Sequence, residues 1–285
     1  MSVLFRLPLR STWTLTLLAS LCISSIPFLT RLGLLLGVPA NTLLNGRMAL
    51  ALIGFILHAL LYRLPLTAHT LRWGSGIGIV VGIGEWAFLQ GVSQTGAALA
   101  SVFLGLTPIA VFVVYQVWQR AARPARHWVR LMLGVGGSIL LMFPTSAVGW
   151  SEGSVWLMVA VCCFAAQMIL TQMAGDVDQR LLGLAITGAA WIVITLVDFP
   201  ALTVLPSLAL SQWLIVLGLA LFGTYLARLT LIAAIQHGGA LEFALLSPMQ
   251  IVFGVGWAWW LLGERLTGWQ LAGAGAVMLC LLLAL

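Results

Sequence analysis

The chain has no lysine, and only 7% of its 285 residues are charged. A soluble domain carries roughly a quarter charged residues and can bury only a limited number of apolar side chains in its core. Here 62% of the residues are hydrophobic, and the mean hydropathy is +1.11. This composition excludes an ordinary soluble protein and favours a chain that lies in a lipid bilayer.

The chain is also poor in the side chains that build metal sites and catalytic groups. It has four cysteines and four histidines. The cysteines lie in apolar runs and two are adjacent, so they indicate neither a disulfide framework nor a metal site. The histidines lack the spacing of zinc ligands or of a catalytic dyad. We therefore expect no cofactor, no metal and no enzymatic activity, with a membrane-embedded enzyme as the alternative from another class.

Long apolar runs are what the chain has in abundance. The hydrocarbon core of a bilayer is about 30 Å thick, and about twenty helical residues cross it. Ten such runs occur, at 13–36, 42–61, 73–92, 96–118, 128–147, 154–174, 181–199, 211–236, 239–262 and 268–285. The sequence therefore predicts an all-α polytopic membrane protein with ten transmembrane helices.

The arginines indicate the orientation of these spans. If the N-terminus is cytoplasmic, nine of the thirteen arginines fall in the cytoplasmic tail and loops. Arg265 falls outside, and Arg31 and Arg47 are expected to snorkel or to cap the outer ends of their helices. The positive-inside rule then predicts two cytoplasmic termini in a bacterial inner membrane. The orientation of the helices in the membrane accounts for the excess of arginine. We therefore expect the lipid bilayer as a partner and do not expect nucleic acid.

Two pairs of segments indicate an internal duplication. Residues 96–108 recur as 236–248 at an offset of 140, and residues 133–137 recur as 272–276 at an offset of 139. Either match alone is weak in apolar sequence, but the two occur in register. The chain is therefore predicted to contain two related halves.

The predicted domains are two five-helix repeats, 1–147 and 148–285. Because five is an odd number, the second repeat enters the membrane with the opposite orientation, as in carriers that work by alternating access. The glycine-rich helices 5 and 10 are expected either to pack within the monomer or to form the face of a homodimer.

The second half carries a more specific pattern. It combines a proline at position 248, the tail Leu262-Gly263-Glu264-Arg265-Leu266 and a final glycine-rich helix. With these features, residues 223–285 resemble the second EamA repeat of the drug/metabolite transporter superfamily. The first half resembles the first repeat through Asn45-Gly46-Arg47, 96–108 and 134–141. The resemblance implies a ten-helix 5+5 carrier that exports amino acids, metabolites or amphipathic drugs.

Two ionisable residues lie deep in the predicted spans. At a rise of 1.5 Å per residue, Glu85 is about 18 Å and Arg228 about 12 Å from the inner ends of their helices. Such groups are costly in hydrocarbon and face a partner or a cavity. Helices 3 and 8 are repeat equivalents, so we expect Glu85 and Arg228 to face each other.

This pair has two interpretations. In the first, Arg228 binds a substrate carboxylate, and Glu85 binds an ammonium group or carries a proton. In the second, the two residues form a structural ion pair that neutralises buried charge. Glu242, in the first turn of helix 9, is another candidate proton carrier, or a partner of the helix dipole.

Other side chains are expected to line the same site. The further candidate substrate-binding residues are Trp86, Phe88, Thr224, Tyr225, Gln167 and Ser24. The rings of Trp86, Phe88 and Tyr225 either clamp an apolar or aromatic part of the substrate or pack between helices.

Proline and glycine mark irregular and close-packed parts of the helices. Pro27, Pro108 and Pro248 remove backbone hydrogen bonds inside predicted helices, so we expect kinks and candidate hinges there. The run Gly74–Gly78, continued by Gly82, superficially resembles a dinucleotide-binding loop. It follows no predicted strand and lies in a span, so close helix packing is expected instead.

Together these features predict a transporter that exports small organic solutes by alternating access. Amino acids or related amphipathic metabolites are the expected substrates, because they satisfy both a buried arginine and a buried glutamate. Multidrug or cationic drug efflux is the alternative, and it favours a lone buried glutamate with an aromatic cage.

Overall fold

The computed structural model describes residues 10–95, 100, 103–119, 125–142, 152–262 and 267–283, and within these ranges the chain forms helices and no strand. The helices are α1 (Arg10–Leu35), α2 (Ala40–Leu61), α3 (Ala68–Thr95), α4 (Thr107–Gln119), α5 (Ala125–Met142), α6 (Glu152–Met173), α7 (Gln179–Val197), α8 (Leu210–Gly238), α9 (Ala240–Leu246), α10 (Met249–Leu262) and α11 (Gly268–Leu282). A short helix, Pro200–Val204, precedes α8.

Within the described ranges, seven helical segments are long and apolar enough to cross a membrane. Six of them are α1, α2, α3, α6, α7 and α8, and the seventh runs from Ala240 to Trp257 across α9 and α10. Large apolar side chains such as Leu61, Leu196 and Leu210 are more than three-quarters exposed, as expected for helices that face lipid. The prediction of an all-α polytopic membrane protein is therefore confirmed.

The count of ten spans stays a prediction. The predicted spans 96–118, 128–147 and 268–285 correspond to α4, α5 and α11, and α4 and α11 are shorter apolar helices. The division of the chain at 147/148 lies outside the described residues, as do Gly263–Leu266 of the tail and 96–99 of the repeat. The two inverted repeats also stay a prediction.

Helix α3 packs closely against α7 along a row of glycines. Gly74, Gly78 and Gly82 recur every fourth residue on one face of α3. A Cβ atom added at Gly78 would lie only 2.5 Å from the carbonyl oxygen of Ile186 on α7. This confirms that the glycine run serves helix packing, and it holds the helix that carries Glu85 in a fixed position.

Helices α5 and α11 pack against each other through two other glycines. A Cβ atom added at Gly137 would lie 2.8 Å from the carbonyl oxygen of Gly273, and one added at Gly273 would lie 2.6 Å from that of Gly137. These two glycines therefore lie in an interface within the chain. A homodimer through the same helices stays a prediction, and it would use other positions such as Gly136 and Gly275, which have nothing within 4 Å.

The helices are interrupted at the two prolines that the predicted duplication relates. Pro108 is the second residue of α4, which begins after a turn at residues 105–106. Pro248 lies in the turn between α9 and α10. Pro27, in contrast, lies inside the continuous helix α1. The structure thus has breaks where kinks are expected at Pro108 and Pro248, and the hinge role of all three stays a prediction.

Helix α8 contains a wide turn that the hydrophobic pattern does not predict. Residues Leu219–Leu226 form a π-helical segment between two α-helical parts. Such segments are rare and occur frequently at functional sites. Thr224 and Tyr225 lie in this segment, and Arg228 follows it directly.

Candidate functional site

An ion pair between α2 and α3 is the first element of the candidate site. The Nη2 atom of Arg47 donates a hydrogen bond to Oε2 of Glu85. The side chain of Arg47 is 6% exposed and that of Glu85 is 18% exposed. The interpretation of Arg47 as a snorkelling or capping residue at the membrane surface is therefore wrong. Arg47 lies two turns inside α2, and α3 supplies the carboxylate that its buried charge needs.

The residues next to Arg47 fix the position of α2. Asn45 accepts a hydrogen bond from the Thr195 hydroxyl of α7 at 2.9 Å. At Gly46 the backbone approaches α8 so closely that an added Cβ would lie 2.8 Å from a methyl group of Val216. Three consecutive residues of α2 thus contact three different helices, with Arg47 directed at α3.

Arg228 is the second buried arginine of the site. It is only 7% exposed, and the charges of both Glu85 and Arg47 act on it. The direct ion pair of Glu85 is formed with Arg47 and not with Arg228, and the expectation that Glu85 and Arg228 face each other stays a prediction. We refer to Arg47, Glu85 and Arg228 as the charged cluster.

The charged cluster contains more positive than negative charge. Arginine stays protonated in proteins, so two guanidinium groups oppose one carboxylate and leave a formal charge of +1. The Nη1 atoms of Arg47 and Arg228 are both buried and have no hydrogen-bond partner among the described residues. Buried polar groups are nearly always hydrogen-bonded, so these two donors are available to a partner other than the described residues.

Two uncharged polar atoms near the cluster are unpartnered in the same way. The Thr224 hydroxyl, one turn before Arg228, is buried and lacks a partner within the described part of the chain. The same is true of Nε1 of Trp191 on α7. Trp191 packs against Leu44 and Met48, on either side of Arg47 along α2. These two atoms add hydrogen-bonding capacity to the charged cluster, which already carries a formal charge of +1.

The aromatic residues of α3 pack against α6. The ring of Trp86 lies edge-on to Trp156 with 5.0 Å between centroids. Phe88 packs similarly against Phe164 at 6.4 Å. Both rings therefore contribute to the interface between α3 and α6.

Tyr225 packs in a different place, against α2. Its hydroxyl shares a hydrogen bond with Nδ1 of His58, and its ring lies 4.7 Å from that of Phe55. Gly54 lies beside this ring, and an added Cβ would be in ordinary contact with it at 3.4 Å. Within the described structure, Tyr225 and the two aromatic residues of α3 do not assemble into one clamp.

Ser24 and Gln167 are buried on other helices. The Ser24 hydroxyl accepts a hydrogen bond from Nε1 of Trp257 at 3.0 Å and thereby joins α1 to α10. Gln167 is 8% exposed on α6. No hydrogen bond or ion pair described by the structure joins either residue to the charged cluster, and their role in substrate binding stays a prediction.

Glu242 forms a separate ionic contact between α9 and α5. Its two carboxylate oxygens accept hydrogen bonds from Arg130, at 2.9 Å from Nη2 and 3.3 Å from Nη1. Nε2 of His127 lies 3.4 Å from the same carboxylate. A role of Glu242 in proton coupling stays a prediction, and any proton transfer to it would compete with this contact.

Residues that the sequence interpretation missed are Arg47 as a site residue, Trp191, and the partners of Glu242. Arg47 is the one charged residue of the predicted span 42–61. An ionisable residue inside a span is a signal for a buried partner, and this signal is weaker for Arg47, near the beginning of its span, than for Glu85.

An all-helical membrane protein with ionisable groups held in its spanning helices has the features of a transporter. Comparison with known families gives the same class, because residues 151–285 match the EamA-like transporter family. This match, over the second half of the chain, confirms the predicted resemblance to an EamA-type transporter of the drug/metabolite transporter superfamily. Members of the EamA family are transporters and not enzymes.

Comparison with whole proteins adds the fold. A solved crystal structure is similar to this chain with a TM-score of 0.78 and 16% sequence identity, over 96% of each chain. At that identity the likeness shows a shared fold alone. No curated protein matches the chain.

Proposed function

We propose that this transporter exports small organic solutes, namely amino acids or related amphipathic metabolites, by alternating access. The observation that carries the proposal is the buried Arg228, whose Nη1 atom lacks a partner among the described residues. A guanidinium group matches a carboxylate in charge and in geometry. Thr224, one turn away with a buried and unpartnered hydroxyl, supplies a further hydrogen bond to such a group.

The rival function is efflux of cationic drugs. The formal charge of +1 in the charged cluster repels a cation, and Glu85 is already bonded to Arg47. The cluster therefore supports a solute with a carboxylate better than one with a positive charge alone.

Alternating access and the cellular location belong to the same proposal. The predicted inverted repeats would provide two equivalent units around one site, and the helix breaks at Pro108 and Pro248 would allow them to move. Proton coupling would depend on Glu85 or Glu242, because arginine cannot release its proton. From the distribution of the arginines, we place the chain in a bacterial inner membrane with both termini in the cytoplasm.

The test is the uptake of labelled amino acids into proteoliposomes. We expect saturable uptake by the wild type, loss of uptake in Arg228→Ala, and unchanged uptake in the control Arg126→Ala. Arg126 is an exposed arginine on α5, so its removal changes the net charge without touching the charged cluster. In Glu85→Gln we expect a changed pH dependence if Glu85 carries the proton.

Two results would contradict the proposal. The first is the absence of uptake for all twenty amino acids and for their metabolites of similar size. The second is uptake that survives in Arg228→Ala with an unaltered KM, which would show that Arg228 does not bind the solute. Uptake of cationic dyes under the same conditions would favour the rival function.

A further inference from the structure

We propose that the charged cluster recognises an organic carboxylate and does not require the ammonium group of an amino acid. In this arrangement Arg47 determines the specificity by occupying Glu85, and Arg228 holds the carboxylate of the solute. The inference rests on the proposed function and names the chemical class that the same site selects.

The first step concerns the availability of Glu85. Its carboxylate accepts a hydrogen bond from Arg47, whose side chain is 6% exposed. If Glu85 turned away to bind a substrate ammonium group, the guanidinium of Arg47 would be left buried without a counterion. Removing one partner of a buried ion pair is strongly unfavourable. Glu85 is therefore the counterion of Arg47 and not a free acceptor.

The second step concerns the charge that is left over. Once Arg47 neutralises Glu85, Arg228 is the uncompensated charge of the cluster. It is 7% exposed, and its Nη1 atom has no hydrogen-bond partner in the described part of the chain. An isolated buried guanidinium is unfavourable, and no carboxylate of the described residues is bonded to it, so an anion bound by Arg228 would complete the site.

The third step compares the groups that a solute offers. A carboxylate has two acceptor oxygens and no donor, so it complements the donors of Arg228 and of Arg47 Nη1. An ammonium group offers only donors and positive charge. The Thr224 hydroxyl can accept one hydrogen bond, but it is uncharged and cannot balance an ammonium group beside two arginines. The amino group of a bound solute thus contributes little to recognition.

The experiment measures binding to the purified full-length chain in lipid nanodiscs by isothermal titration calorimetry. Three matched sets of probes are used, built on the side chains of alanine, leucine and phenylalanine. Each set contains the amino acid, the carboxylate without its amino group, and the amine without its carboxylate. In at least one set, we expect the Kd of the carboxylate to be at most about threefold higher than the Kd of the amino acid. We expect the amine to bind at least tenfold more weakly than the carboxylate.

A variant tests the role assigned to Arg47. In Arg47→Met the cluster has a formal charge of zero, and Glu85 is free to bind an ammonium group while Arg228 holds the carboxylate. We expect the ratio of the Kd of the carboxylate to the Kd of the amino acid to rise at least tenfold. Arg47→Met combined with Glu85→Gln should return the preference to the carboxylate. Arg126→Met, at an exposed position, serves as the control for a lost arginine.

The outcomes separate this inference from the proposed function. Amino acids that bind more than tenfold better than the matched carboxylates in the wild type would overturn the inference, as would an absence of carboxylate binding in all three sets. An unchanged preference in Arg47→Met would overturn the role of Arg47. Carboxylates that bind as expected but are not transported by proteoliposomes would overturn the proposed function and leave the recognition by Arg228 in place.

Discussion

Replacing Gly78 with alanine should destabilise the protein, although alanine is the better helix former. The new Cβ would lie 2.5 Å from the carbonyl oxygen of Ile186 and 2.6 Å from the Cβ of Ala189. Normal contacts between such atoms are about 3.5–4 Å, so α3 and α7 would have to separate. The carbonyl oxygen belongs to a helix backbone and cannot rotate away as a side chain can.

The size of the effect is best measured against a second substitution on the same helix. Gly76→Ala also replaces a glycine of α3, but nothing lies within 4 Å of its added Cβ. Both substitutions gain about the same helix propensity, up to about 1 kcal/mol. Their difference therefore isolates the packing, where an added carbon in a tight interface costs about 1–3 kcal/mol.

The assay is thermal unfolding of both variants in the same detergent, followed by circular dichroism. The expected difference corresponds to a Tm roughly 2–12 °C lower for Gly78→Ala than for Gly76→Ala. Since α3 carries Glu85, we also expect weaker solute transport in the first variant. Equal Tm values for the two variants would refute the conclusion that the glycine row sets the distance between α3 and α7.

Two further predictions concern polar contacts away from the charged cluster. Glu242→Gln removes the charged acceptor of Arg130, which is only 3% exposed and would keep a buried charge without a counterion, while the Glu242 side chain is 36% exposed. We expect a loss of about 1–3 kcal/mol. Unfolding in mixed micelles measures this loss, and an unchanged stability would contradict it. Tyr225→Phe removes the hydrogen bond to His58 and should cost about 0.5–1.5 kcal/mol in the same assay. An unchanged stability in Tyr225→Phe would show that this hydrogen bond is not formed in the membrane.

Most of the helices could be predicted from the sequence because the backbone N–H and C=O groups of each apolar run have to pair with each other inside the bilayer, and a helix achieves this. The predicted span 42–61 agrees with α2 (Ala40–Leu61), and 154–174 agrees with α6 (Glu152–Met173). Helix α3 is longer than its span of 73–92, since its polar ends continue the helix beyond the apolar run. The π-helical turn of α8 could not be predicted, because a single extra residue in a turn leaves the average hydropathy unchanged.

The candidate site could also be predicted in part from the apolar runs. Glu85 and Arg228 stand out because each is an ionisable residue far inside an apolar run. Arg47 lies near the beginning of its run, where an arginine can equally extend to the membrane surface. Only the rotation of α2, fixed by contacts such as that of Gly46 with Val216, directs Arg47 toward α3. Hydropathy gives the depth of a residue and not the direction of its side chain.

A comparison of Arg130 with Arg228 shows why burial of an arginine does not by itself indicate a binding site. Both are buried, at 3% and 7% exposure. Arg130 donates both Nη groups to the carboxylate of Glu242, so its charge is balanced within the chain. Among the described residues, no such carboxylate is bonded to Arg228, and the Glu85 carboxylate is bonded to Arg47. The argument for a ligand therefore depends on charge that the chain leaves uncompensated, and this condition distinguishes Arg228 from a structural arginine of equal burial.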